Sequence, residues 1–305
     1  MRVVVALGGN AISRRGEEMT VNNQRRNLRE ASHSLAEVAE DHELVITHGN
    51  GPQVGLLALR DASYTETAGY PLDVLGAETQ GMIGYLIEIE LRNAMTYGHK
   101  LTTILTLVVV DPADPAFQAP TKFVGPIYST TDAERLAAEK GWTFAQDGDA
   151  PRRVVASPVP QRLVQIDSVK SLLRAGHVVV SAGGGGIPVA IDRDGQFIGV
   201  EAVVDKDASS AVLAESIQAD VLVMATDADA VYVDWGTPQA RPLTKINTRE
   251  LTGYRFPAGS MGPKVDAAIR FVEATGGRAV IGRLSDLDQL LAGTAGTTVI
   301  PSGGN

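Results

Sequence analysis

Two lysines stand where helix electrostatics would not put them. Ser260-Met261-Gly262-Pro263-Lys264 opens a helix predicted over Val265–Ala274, with Pro263 near its first position. Lys206 lies just before a second helix, predicted over Ala208–Ala219, where Asp207 and Ser210 fit a helix start. A helix N-terminus already carries partial positive charge, so a cation there is mildly unfavourable. A bound anion would turn each penalty into attraction, and local rules are broken in this way at functional sites. Lysines pointing into water fit the local pattern as well. Asp205 and Asp207 flank Lys206, so a carboxylate is at hand either to hold the lysines in place or to cap the helix.

Glycines at strand ends supply the other half of an anion site. Val3-Val4-Val5-Ala6-Leu7 runs into Gly8-Gly9-Asn10, Leu44–Thr47 into His48-Gly49-Asn50-Gly51, and Val178–Ala182 into Gly183-Gly184-Gly185-Gly186. Each run is short, apolar and rich in β-branched residues, the pattern of a strand buried on both faces. Bare N–H groups at the carboxyl end of such a strand hold anions in open α/β sheets. If the three strands are neighbours in one parallel sheet, their loops crowd one edge and form one polyanion cradle. A further strand, Val221–Thr226, ends in Asp227-Ala228-Asp229-Ala230-Val231-Tyr232. Nucleotide contacts gather at such ends, although an Asx-turn opening a hairpin reads the same way. The five histidines show no ligand spacing, and His48 reads as a loop hydrogen-bonder.

The elements that must position these residues alternate between strand and helix. Apolar residues recur at helical spacing over Asn27–Glu40, Gln53–Arg60 and Leu75–Tyr97, with a strand predicted over Leu101–Val110 and a helix over Ser168–Ala175. Ala279–Ile281 and a segment near Val299 add further strands. The class is therefore α/β with a mostly parallel sheet. Gly76, Gly81 and Gly84 lie along the 75–97 helix, where small residues let a neighbouring helix or a second copy approach closely. The polar stretch after Asn10 carries Arg14 and Arg15. Residues 112–160 differ in texture, with Pro112, Pro115, Pro120, Pro126, Pro151, Pro158 and Pro160, and one short helix predicted over Asp132–Lys140. They read as an irregular insertion or lid.

Composition removes several classes. The 305 residues are 44% hydrophobic and 21% charged, which is ordinary for a globular protein of one or two lobes. A formal charge of −9 argues against a nucleic-acid partner. The absence of cysteine removes disulfides, thiolate catalysis and Cys-metal sites. There is no leader pattern and no apolar run approaching the ~18 residues of a membrane span, so a cytoplasmic protein without a membrane partner is expected. No G-x-x-x-x-G-K-[ST], no H-R-D or D-F-G set, and no G-x-G-x-x-G on a strand-turn-helix is present.

Six segments taken together resemble the carbamate kinases. They are Ala6–Asn10, Thr47–Gly55, Gln80–Tyr85, Ala182–Pro188, Gly199–Asp207 and Gly259–Val265, with Pro120-Thr121-Lys122 inside the lid. The likeness runs in order from residue 3 to about 300. It departs at Ala230, where the family has glycine, and around Ala77-Glu78-Thr79. It implies the amino-acid-kinase fold, a three-layer α/β/α sandwich with a mostly parallel central sheet and a lid insertion, usually a homodimer. It implies an N-terminal lobe over 1–200 for carbamate or carbamoyl phosphate, with the lid at about 112–160, and a C-terminal lobe over 201–305 for ATP or ADP. The implied reaction is ATP + carbamate ⇌ ADP + carbamoyl phosphate, in arginine metabolism, run toward ATP, with Mg²⁺ carried by the nucleotide and no protein metal ligands.

The resemblance also assigns roles. Lys206 and Lys264 would stabilise charge on the transferred phosphoryl group, with Asp207 orienting them and Lys122 on the lid closing over the acceptor, because phosphoryl transfer needs positioning and fixed positive charge above all. Gly8, Gly9, Asn10, Gly49, Asn50 and Gly51 would supply donors to phosphate and carbamate, with Gly184 and Gly185 also binding substrate or phosphate. Thr226, Asp227, Asp229, Tyr232, Met261, Gly262 and Pro263 would bracket the nucleotide. Another kinase of the same fold acting on an amino-acid carboxylate, a non-catalytic nucleotide sensor, and a dehydrogenase are the competing readings.

Overall fold

The computed structural model describes residues 1–14, 16–63, 69–257 and 259–303; Arg15 lies outside them. Its centre is the strand Arg2–Leu7, whose Val3 to Leu7 are fully buried. Side chains alternate across a strand, so this one serves two cores. Val4 and Ala6 join a core with Leu213 of the helix Lys206–Ser216 and Phe271 of the helix Gly262–Thr275. Val3, Val5 and Leu7 join another with Leu28 and Leu35 of the helix Val21–Asp41 and Ile83 and Ile87 of the helix Leu72–Ala94. The result is a helix layer on each face of the sheet, the three-layer α/β/α sandwich.

The sheet has eight strands, in the spatial order Lys245–Asn247, Thr297–Ile300, Arg278–Arg283, Val221–Thr226, Arg2–Leu7, Glu43–His48, His177–Val180 and Lys100–Thr103. Every neighbouring pair is parallel except Arg278–Arg283 with Thr297–Ile300. The chain winds from Arg2–Leu7 to one side first, and later to the other side through Val221–Thr226. The carboxyl ends of these two strands therefore flank the topological switch point, where open α/β sheets bind ligands. The three glycine-ended strands are consecutive neighbours, so their loops do meet at one edge.

The stretch expected as one strand over Leu101–Val110 is two. Lys100–Thr103 ends the main sheet, and Leu107–Val110 enters a four-stranded sheet with Pro160–Leu163, Ile187–Ile191 and Phe197–Gly199. Buried Gln80 holds the step between them: it donates to the Thr106 carbonyl at 3.2 Å and accepts from the Thr106 N–H at 2.9 Å.

The proline-rich stretch is also more regular than its texture. Lys122–Ile127, Ala150–Val155 and Thr143–Asp147 form a three-stranded antiparallel sheet, with the helix Thr130–Lys140 capped by Ser129. Prolines argue against a strand, but Pro126 falls where the register shifts between Val124 and Ile127, and Pro151 sits near a strand start. This unit docks on the helix Gly51–Ser63 through two glycines. A Cβ on Gly55 would lie 1.9 Å from the Gly125 Cα, so neither backbone could approach if Gly55 carried a side chain. Farther out, Arg153 lies 3.9 Å over the Trp142 ring and 3.7 Å from Glu201.

Candidate active site

The helix carrying Lys206 starts two residues earlier than its sequence implies. Asp205, not Asp207, is the cap, accepting from the Asp207 N–H at 2.9 Å and the Ala208 N–H at 3.2 Å. Lys206 and Asp207 thus occupy the first helical turn, and the Asp207 side chain is free for another task. It bridges the two lysines: Lys206 Nζ donates to Oδ1 at 2.6 Å and Lys264 Nζ to Oδ2 at 3.0 Å. Lys122 reaches in from the insertion and donates to Asp205 Oδ2. Three lysines against two aspartates leave one excess positive charge in this cluster.

Burial tunes these groups. On its own it pushes the Asp207 carboxyl up, but Lys206 and Lys264 outweigh it and hold that carboxyl far below the ordinary range. Burial likewise opposes ionisation of Asp205, and Lys122 together with Lys206 outweighs it, so that carboxyl also lies below the ordinary range. Lys206 falls below the usual lysine range through burial, with Lys264 adding to the push. A positive group held in this way is short of solvation and lies open to a better anionic partner.

The glycine loops fit around this cluster by clearance. A Cβ on Gly49 would stand 3.3 Å from the Lys206 side chain, and one on Gly8 would stand 2.8 Å from the Ala225 carbonyl. Gly184 has φ +65° and lies against Asn50, where a Cβ would come within 2.2 Å of the amide. Gly185, at φ +87°, lies against the Val204 carbonyl. Gly49 directs its N–H to the Leu7 carbonyl at 3.3 Å and Gly185 to the Ala182 carbonyl at 3.1 Å, so these two make room rather than donate. Asn50 donates to Thr79 at 2.7 Å. Gly51 begins its helix at the same edge, and Gly9 and Asn10 form a 3₁₀ turn.

Across the switch point, Asn10 Nδ2 donates to Asp227 Oδ2 at 2.8 Å. Thr226 donates to Asp227 at 3.2 Å, and Arg283 to the Asp227 carbonyl at 3.3 Å. Asp229 pairs instead with the Tyr232 hydroxyl at 3.1 Å, beside the hairpin Val231–Val233 and Arg241–Leu243. Gly262 donates to the Pro257 carbonyl at 2.9 Å, Pro263 sits in the first turn, and Met261 packs on the core. His48 is buried against the Gly49 carbonyl at 3.1 Å, and burial lowers its pKa to about 4, so it is neutral near pH 7. Among the described residues, no three His, Asp or Glu stand together as a metal cage.

Sequence reasoning gave no role to Gln80, the first residue of one of the resembling segments, which also donates to the Gly183 carbonyl at 2.8 Å and so steadies the glycine loop. It missed Trp235, whose exposed ring meets that of Tyr232 at 5.0 Å. Neither has a local signal, since a lone glutamine in a helix and a tryptophan in a loop have many uses.

A mostly parallel α/β/α sandwich with a lysine-rich cradle at its switch point defines a phosphate-handling enzyme of the kinase kind. The chain belongs to the amino acid kinase family, whose profile matches residues 1–283. Among its relatives, the carbamate kinase of Rhizobium meliloti is 53% identical over 304 residues, covering 99% of this chain and 94% of that one. The carbamate kinase of Haemophilus influenzae is 54% identical over 299 residues, covering 98% and 96%. The solved carbamate kinase of Giardia lamblia bound to AMP-PNP superposes with a TM-score of 0.89 at 35% identity, over 99% of this chain and 98% of that one.

Proposed function

We propose that this chain is a carbamate kinase, transferring a phosphoryl group reversibly between ATP and carbamate and working toward ATP. The observation that carries the reading is the Asp207 bridge between Lys206 and Lys264 under the glycine loops, in a chain about half identical to carbamate kinases from end to end.

The chemistry asks for little else. The attacking oxygen is anionic at neutral pH in either direction, whether it belongs to carbamate or to the terminal phosphate of ADP. No general base is required, which suits a site whose nearby histidine is buried and neutral. What the transition state needs is alignment and fixed positive charge. Lys206 and Lys264 supply that charge, Asp207 sets their spacing, and Lys122 adds a third cation from the lid. The Gly8–Asn10 turn and the Asn50–Gly51 helix start face carbamate and the transferred phosphoryl group, with Gly49, Gly184 and Gly185 keeping the floor thin. Lobe 1–200 takes carbamate or carbamoyl phosphate under the lid; lobe 201–305 takes the nucleotide, bracketed by Thr226, Asp227, Asp229, Tyr232 and Met261–Pro263. A lid that excludes water suits two species that decompose in it.

Asp205 and Asp207 are already engaged by lysines, which fits Mg²⁺ arriving on the nucleotide phosphates rather than held by the protein. Bound there, the ion would neutralise phosphate charge. A homodimer is supported by one stripe of the helix Leu72–Ala94, where Val74, Gly81 and Tyr85 are exposed. Gly84, by contrast, packs on Thr103 of the sheet. The absence of any membrane-length apolar helix among the described residues is compatible with a cytoplasmic setting. A panel of acyl-phosphate donors tests the substrate: ADP-dependent consumption of carbamoyl phosphate, with acetyl phosphate and amino-acid acyl phosphates turned over far more slowly, supports the reading. Preference for an amino-acid acyl phosphate overturns it.

A further inference from the structure

Asp205 divides its two oxygens between two parts of the molecule. Oδ1 caps the helix that carries Lys206 and Asp207, through the Asp207 and Ala208 N–H groups. Oδ2 takes the ammonium of Lys122, which belongs to the insertion. Lys122 and Asp205 are half-buried, so water screens their pairing only in part. The insertion is also anchored at Gly55–Gly125, at Arg153–Glu201, and by Val124 and Val155, which pack with Val54, Leu72 and Val203.

We infer that Asp205 is the positioning residue for the lid lysine: it stations Lys122 beside the Lys206–Asp207–Lys264 bridge, from which an arriving acyl phosphate can share it. This rests on the carbamate kinase reading for the substrate, but not for the pairing itself. A carboxylate is needed because the station must attract a cation, and a cap alone would not. Asn at this position keeps the cap, since its carbonyl oxygen still accepts from two N–H groups. It turns an N–H₂ toward Lys122, donor against donor. It also raises the excess positive charge of the cluster by one.

The inference predicts that Asp205→Asn lowers kcat while leaving the KM for carbamoyl phosphate unchanged or lower. The expected loss is about 10-fold to 100-fold, the scale on which a misplaced catalytic group acts. In a Lys122→Ala background the same change should cost almost nothing further, because the two residues act as a unit. An independent readout is limited acylation with acetic anhydride, scored by mass spectrometry against exposed Lys140 as internal reference. Lys122 labelling should rise severalfold in Asp205→Asn, with Lys206 and Lys264 unchanged. Unchanged Lys122 labelling, or a kcat loss of equal size with and without Lys122, overturns the assignment. If the parent fails to turn over carbamoyl phosphate, the substrate reading falls, and the labelling comparison still decides the role of Asp205.

Discussion

Lys206 and Lys264 are held close together by one carboxylate, an arrangement that is poor for stability and good for binding an anion. Removing one of them should show the difference. Lys264→Ala is expected to lower kcat for ATP formation by about 10²–10³, the usual loss for one preorganised charge-stabilising donor, as steady-state kinetics would show. Near-parental turnover would remove Lys264 from its role. His48 makes a second prediction, in stability. Its folded-state pKa is about 4, against ~6.5 for a free histidine. Between those values the unfolded chain binds more protons, so stability rises with pH across this window and is lost as pH falls through it. The loss approaches about 3 kcal/mol at its full extent. Urea unfolding of His48→Gln should therefore show a flatter decline from pH 6.5 to 4 than the parent does; parallel declines would refute the assignment. Both lysines could be singled out in the sequence because they offend a helix dipole. Local pattern left the bridge open, since it favours Asp207 as the cap; the family resemblance gave Asp207 its orienting role, and the fold shows that Asp205 does the capping.

Strands ending in glycine could be read directly, since β-branched runs and paired glycines are local signals. That three of them are neighbours needed the sheet order. The insertion was the hardest element to read, because Pro126 and Pro151 hide strands that tolerate proline only at a register shift and near a strand start. Its docking depends on a long-range contact with no local trace. Gly55→Ala tests that contact cleanly. Alanine favours a helix over glycine by about 1 kcal/mol, so any loss must come from the 1.9 Å clash with Gly125. The expected outcome is a fall of about 10-fold or more in kcat/KM for carbamoyl phosphate, as the lid and Lys122 move off station. Circular dichroism should stay parental. Parental kcat/KM would mean that the docking seen here does not matter for turnover.

At the scale of the whole molecule, the switch point between Arg2–Leu7 and Val221–Thr226 places the glycine turn and the Asp227 loop side by side, joined by Asn10. Alternation of strand and helix was enough to expect a parallel sheet, while the separate four-stranded sheet was not foreseeable, since it joins the local hairpin of Ile187–Ile191 and Phe197–Gly199 to strands from distant parts of the chain. The exposed stripe at Val74, Gly81 and Tyr85 predicts a sedimentation mass twice that of the chain. Gly81→Arg with Tyr85→Glu should convert it to a monomer; a parent that sediments as a monomer contradicts the dimer. The most direct measurement is ATP formation from ADP and carbamoyl phosphate with Mg²⁺, followed in a coupled assay. Rapid ATP formation, lost in Lys264→Ala, is the predicted result. ADP binding with no ATP formed from carbamoyl phosphate would contradict the carbamate kinase reading.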